Sequence, residues 1–191
     1  MTETDVIRKA KQGDKEAFAE LVSAYSERIY NLALRILRNR EDAEDVLQET
    51  FLTVLQKLDS FDGRSNFFTW IYRIATNASL MKLRKKKLVF AEMPENFDPD
   101  SRHNDRIFVD WSQDPSLNVQ NKEIKGIIDS AIGQLSDLYR SVFILRDIEH
   151  LSIKETSKIL NISEENVKIR LRRARLFLRD KISEFYEGSV I

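Results

Sequence analysis

The sequence predicts an all-α protein: two small helical domains joined by a flexible acidic linker, the second containing a helix-turn-helix. Three observations predict it. Apolar residues recur at three- and four-residue steps along both halves of the 191-residue chain, with no period-two run. All three prolines, Pro94, Pro99 and Pro115, fall in one window. Residues 91–116 in that window hold seven acids against Arg102 and Arg106, the composition of a polar tether. The boundaries read as 1–88, 89–119 and 120–191.

The length suits one domain or two small ones. Thirty-one basic and 31 acidic residues give zero net charge, but the charges are segregated. Residues 82–87 read KLRKKK and run straight into the acidic window, so local fields matter more than the sum. Cysteine is absent, which removes disulfides and thiolate metal sites. His103 and His150 lie far apart and read as surface residues. The first fourteen residues carry no apolar signal core, and no stretch reaches the length of a membrane span. A cytoplasmic protein without membrane insertion is expected. No nucleophile–base arrangement, phosphate-binding glycine loop or metal cluster stands out, so neither enzymatic activity nor a cofactor is expected.

In the first domain, Phe18, Leu21, Val22, Tyr25, Ile29, Ala33 and Ile36 form one helical stripe. A second helix starts near Glu41 and buries Ala43, Val46, Leu47, Thr50, Val54 and Leu58. Its opposite face holds Asp45, Glu49, Leu52 and Gln56, with Asp42 and Gln48 at the margins. An apolar residue centred in an acidic exposed face has the pattern of a docking hot spot with a polar rim. The bland alternative is a solvated face with a stray leucine, since single exposed leucines are common.

Asp59 to Asn66, DSFDGRSN, is a glycine-containing polar loop. A third helix runs from about Asn66, and its FFTWIYR stretch sets Phe67, Phe68, Trp70 and Tyr72 beside Arg73. Aromatics interleaved with basic residues suit single-stranded nucleic acid, whose bases stack on rings while cations follow the phosphates. Phe67, Ile71 and Ile74 read as core. Trp70 and Tyr72 cannot both point the way of Ile71, so at least one is expected to be accessible.

In the second domain, Ile124, Ile127, Ile128, Ala131 and Leu135 make one stripe, and Leu138, Val142 and Leu145 the next. Ser152 with Glu155 three residues on is a capping box that opens a short helix ending near Leu160. Asn161 suits a left-handed turn, and Ser163 is an N-cap for the helix that follows. That helix has seven basic residues between Ser163 and Ile182, with an apolar stripe of Val167, Leu171, Ala174, Leu178 and Ile182. A basic run is most often a solvated face. Following a short helix and a tight turn, it is the second helix of a helix-turn-helix, which enters the major groove.

The stretches REDAEDVLQETFLTVLQKL, FDGRSNFFTWIYRIATN and RSVFILRDIEHLSIKETSKILNISEENVKIRLRRAR resemble the extracytoplasmic-function sigma factors of bacterial RNA polymerase. The resemblance covers both domains in order and leaves out only the linker and the ends. It implies a promoter-melting amino-terminal domain and a carboxy-terminal domain reading the −35 element. It implies docking on the polymerase β′ clamp helices through Asp42, Asp45, Gln48, Glu49 and Leu52. The loop that flips and reads a −10 base matches Asp62, Gly63, Arg64, Ser65 and Asn66, and the strand-separating and duplex-edge residues match Trp70, Arg73 and Asn77. The −35 contacts match Ser163, Asn166, Lys168, Ile169, Arg172 and Arg173. Core RNA polymerase (β′ clamp helices and β flap), promoter DNA and an anti-sigma factor are the partners it implies.

Three positions depart from the pattern of the family the chain resembles. Ile169 stands where relatives often have a small polar residue, and Thr156-Ser157 where they commonly have an apolar-alanine pair. A stand-alone helix-turn-helix regulator would account for the second domain but not for the docking face or the aromatic-basic helix. A polymerase-binding anti-initiation factor would use the docking face alone.

Overall fold

The structure, a computed structural model, describes residues 2–91 and 122–188, with side chains over 2–87 and 126–184. Residues 89–91, expected to open the linker, instead continue the last helix of the first half, and the rest of the acidic linker lies outside the described residues. Those residues form eight α-helices with no strand among them, in two compact units, Met1–Met81 and Lys82–Ile191.

The first unit opens with α1, Glu3–Lys11, which the sequence reading leaves out. Nine residues with only Val6, Ile7 and Ala10 buried give little periodic signal. The helix stands because Thr2 and Asp5 form a capping box and because it packs against α2. Helix α2, Lys15–Leu37, starts at Asp14, whose carboxylate accepts from the backbone N–H of Glu16 and Ala17 at 2.9 and 3.1 Å. The expected stripe is its core side: Leu21, Tyr25, Ile29, Ala33 and Ile36 are buried, with Phe18 and Val22 half-buried. Arg38, in the left-handed region at φ 56°, ends the helix and turns the chain into α3, Arg40–Lys57. Asn39 caps α3. Ala43, Val46, Thr50 and Val54 are buried along it and Leu58 just past its end, while Leu47 is half-buried.

A single 3-10 turn, Leu58–Ser60, leads to Phe61 and the loop before α4, Phe67–Ala91. Phe67 packs edge-on against both Tyr25 and Phe61, with ring centroids 5.4 Å apart in each pair. The Lys11 ammonium donates to the Phe61 carbonyl and lies 5.7 Å from the centre of the same ring. Tyr25 donates its hydroxyl to Glu3, and burial, together with that bond, raises its pKa well above the ordinary tyrosine value. Both contacts tie α1 to the rest of the unit.

In the second unit, α5 (Lys122–Gln134) and α6 (Asp137–Phe143) are joined tightly by the buried Arg140. Its guanidinium donates to the carbonyls of Ile132, Gly133 and Leu135, satisfying acceptors that the end of α5 leaves open. Beyond α6 the backbone widens to a π-helix over Ile144–Ile148. Val142 and Leu145 are buried as expected, and Ile132 joins them. Leu138 does not. It lies in the first turn of a seven-residue helix whose burial begins at Arg140, and it stays 47% exposed.

Helices α7 (Ile153–Leu160) and α8 (Glu164–Gly188) follow as the motif requires. Ser152 and Glu155 form the capping box, and Asn161 is left-handed at φ 52°. The Ser163 hydroxyl accepts from the Asn166 backbone N–H at 3.2 Å. Val167, Leu171, Ala174 and Leu178 are all buried, and α8 packs on α5, α6 and α7.

Candidate docking face and nucleic-acid interface

On α3, Asp45, Gln48, Glu49, Leu52 and Gln56 lie on the exposed side. Leu52 is 60% exposed, a large value for a leucine in the middle of an eighteen-residue helix. Leu55, one turn further, is 58% exposed. Spacing of i, i+3 puts both side chains on one surface. Gln56 was expected on this side and Leu55 was not, although the three-residue step from Leu52 is a sufficient signal. Asp42 is buried at the margin instead of presented; it sits in the first turn, where the helix dipole favours an acid, and its backbone N–H is held by Asn39 at 2.9 Å.

The loop from Asp62 to Asn66 is exposed except for Ser65, which is half-buried. Gly63 takes φ +74°, a conformation that side chains rarely adopt. The Asp62 carboxylate accepts from the Arg64 backbone N–H at 3.0 Å and pairs with its guanidinium at 2.9 Å, folding the tip on itself. Asn66 closes the loop as the cap of α4, accepting from the Phe68 N–H at 3.1 Å.

Arg73 and Asn77 are exposed one turn apart on α4. The expected accessibility of Trp70 or Tyr72 is corrected. Trp70 is 8% exposed, its ring 5.2 Å from Phe61 and 5.6 Å from Phe67; Tyr72 is 1% exposed, its ring 4.0 Å from Phe68. The expectation assumed one buried side. In fact α4 is covered round most of its girth: Thr69, Ile71, Ala75, Thr76, Ala78 and Ser79 are buried as well. Among positions 67–79, only Arg73 and Asn77 are fully exposed.

On α8, Asn166, Lys168, Ile169, Arg172 and Arg173 are all exposed on the side away from the buried stripe, and Ser163 is exposed just before the helix begins. The basic residues divide by partner. Arg175 makes a two-pronged bond to Asp147 at 2.8 and 2.6 Å, and that carboxylate raises the guanidinium's pKa above its ordinary value. Arg179 pairs with Asp180 at 2.7 Å. Arg173 donates to the hydroxyl of Tyr139 on α6 at 3.2 Å, so it lies on the flank of α8 toward α6. Ile169, 40% exposed, lies nearly opposite the buried stripe. The sequence offered no sign of the partners Tyr139 and Asp147, which arrive through packing across 34 and 28 residues. No helix among the described residues is long and apolar enough to cross a membrane.

Residues 21–89 match the family Sigma-70 region 2, and residues 125–178 match Sigma-70, region 4. The chain is 37% identical over 178 residues to the ECF RNA polymerase sigma factor SigW of Bacillus subtilis, spanning 93% of this chain and 95% of that one. It is 31% identical over 188 residues to the ECF RNA polymerase sigma-E factor of Haemophilus influenzae, spanning 95% and 96%. Its fold is like that of CnrH in complex with the cytosolic domain of CnrY (TM-score 0.63, 23% identity, 96% of each chain). It is also like that of the sigma factor RpoE in complex with the anti-sigma factor NepR from Bartonella quintana (TM-score 0.64, 19% identity, 87% and 96%). Matches to both sigma regions in chain order, with relatives of 31–37% identity over nearly the full length, show that the chain belongs to the ECF family of RNA polymerase sigma factors.

Proposed function

We propose a division of labour for this ECF sigma factor. The exposed face of α3, with Asp45, Gln48, Glu49 and Leu52 presented and Asp42 at its edge, docks on the β′ clamp helices of core polymerase. The Asp62–Asn66 loop receives a flipped −10 base, and Arg73 and Asn77 follow the separated strand and duplex edge, with Trp70 holding that surface from within. Ser163, Asn166, Lys168, Ile169, Arg172 and Arg173 contact the −35 element. Residues 1–88 and 120–191 act as the two domains and 89–119 as their tether. The protein performs no chemistry itself, since polymerase supplies it, and it works in the cytoplasm where polymerase and promoters are. An anti-sigma factor is a further partner, as for the relative solved with NepR.

The observation that carries this reading is the helix-turn-helix: five side chains able to contact bases or phosphates, Asn166, Lys168, Ile169, Arg172 and Arg173, lie exposed on one side of α8 while the opposite stripe is buried. The zero net charge supports a factor that binds DNA weakly on its own. Gel shift with duplex promoter DNA tests it. Tight, sequence-specific binding is expected only when core polymerase is added. Equally tight binding by the protein alone would make it a stand-alone regulator.

A further inference from the structure

Arg173 differs from the other arginines of α8 that have partners. Arg175 and Arg179 are each paired with a carboxylate, Asp147 and Asp180, which offsets their charge. Arg173 is bonded to a neutral oxygen, the hydroxyl of Tyr139. A neutral acceptor fixes the direction of a guanidinium without reducing its charge. One bond uses one of five N–H donors, so the rest of the planar fork remains available to a base edge or phosphate.

The acceptor is itself well anchored. Tyr139 is half-buried on α6, and its neighbours Arg140, Ser141 and Val142 are buried. Arg140 holds three carbonyls at the end of α5. A tyrosine has only two side-chain torsions, so its hydroxyl is a stiff reference point, whereas a lone arginine loses far more rotamer entropy on being fixed. Among the described residues, Lys168 and Arg172, on the same exposed side, have no such partner.

We propose that Tyr139 is a positioning residue for −35 recognition: its hydroxyl pre-orients the Arg173 guanidinium, so that base discrimination by Arg173 depends on α6. The inference rests on the proposed −35 role of Arg173.

The test is transcription of a library of randomised −35 elements by core polymerase with wild type, Tyr139→Phe, Arg173→Ala and the double variant. Tyr139→Phe removes one hydroxyl and keeps the ring, and a thermal melt checks that the fold is unchanged. The expected result is a loss of discrimination of about threefold to tenfold in Tyr139→Phe. The loss falls at the base position that Arg173→Ala alters, with no further loss in the double variant. Three results overturn the proposal while leaving the role of Arg173 standing. Tyr139→Phe keeps wild-type preference although Arg173→Ala changes it; or the two losses add, which makes the hydroxyl an independent DNA contact; or Tyr139→Phe binds more tightly, which makes the bond a resting place that competes with DNA. Unchanged preference in Arg173→Ala removes the role of Arg173 itself, and the proposal with it.

Discussion

Leu52 and Leu55 leave more than half of their surface in water, at positions where a helix of this length has ample polar choices. Substitution there should not disturb the core. Leu52→Asp is expected to leave helicity and melting temperature unchanged. It should weaken association with core polymerase by about 2 kcal/mol or more, roughly thirtyfold, as for a central interface anchor. Wild-type co-purification would remove α3 from the docking surface. Trp70 carries the opposite expectation. Truncating it to alanine opens a cavity among Phe61 and Phe67, and should cost about 3–5 kcal/mol of stability. Arg73→Ala should cost little stability and impair promoter opening, a defect relieved by a pre-melted template because the unpairing cost is already met. Thermal melts and transcription on duplex and bubble templates separate the two cases. Thr156 sits at a fully buried site, and its hydroxyl has no hydrogen-bond partner among the described residues. Thr156→Val is expected to stabilise the protein by about 1 kcal/mol, relieving a buried hydroxyl left without a bond; a lower melting temperature would show that the hydroxyl is satisfied in solution.

At the scale of the element, α8 was the most legible part of the chain. Its cap, its stripe and the preceding left-handed turn are local features, set by residues within a few positions of each other, and sequence periodicity reports them directly. What depends on neighbours distant in sequence was not legible. Nothing near Trp70 or Tyr72 announces that α4 is enclosed on most sides, and nothing near Arg175 announces Asp147. Likewise α1 is too short to declare itself, although its Lys11 holds the carbonyl from which the Asp62–Asn66 loop departs. On α8, exposed positions should fall into two classes. Ile169→Ser is expected to change which −35 base is preferred, by about 1–3 kcal/mol at one position, through loss of apolar contact with a thymine methyl. Arg179→Ala, beyond the expected −35 contacts along α8 and already paired with Asp180, should weaken all promoters alike and lower the salt slope by at most about one phosphate contact. Randomised −35 elements transcribed over a salt series distinguish a shift in preference from a uniform loss.

At the scale of the molecule, two helical units present unlike surfaces: an acidic face with two leucines on α3, and a cationic face on α8. The chain as a whole carries 31 basic and 31 acidic residues, so neither surface shows in the net charge. On the proposed reading, DNA affinity should rise when the protein is attached to polymerase, because tethering turns separate weak contacts into one strong association. The fold class and the order of the two family motifs were readable from the chain; which aromatic side chains stay accessible was not. The central claim is that these surfaces work together as a promoter-specificity subunit. The measurement that tests it most directly is sequencing of transcript starts made by core polymerase on a pooled promoter library, with and without the protein. The account predicts new starts downstream of one shared pair of −10 and −35 elements at fixed spacing, all lost with Leu52→Asp. Starts identical to those of core polymerase alone would contradict it.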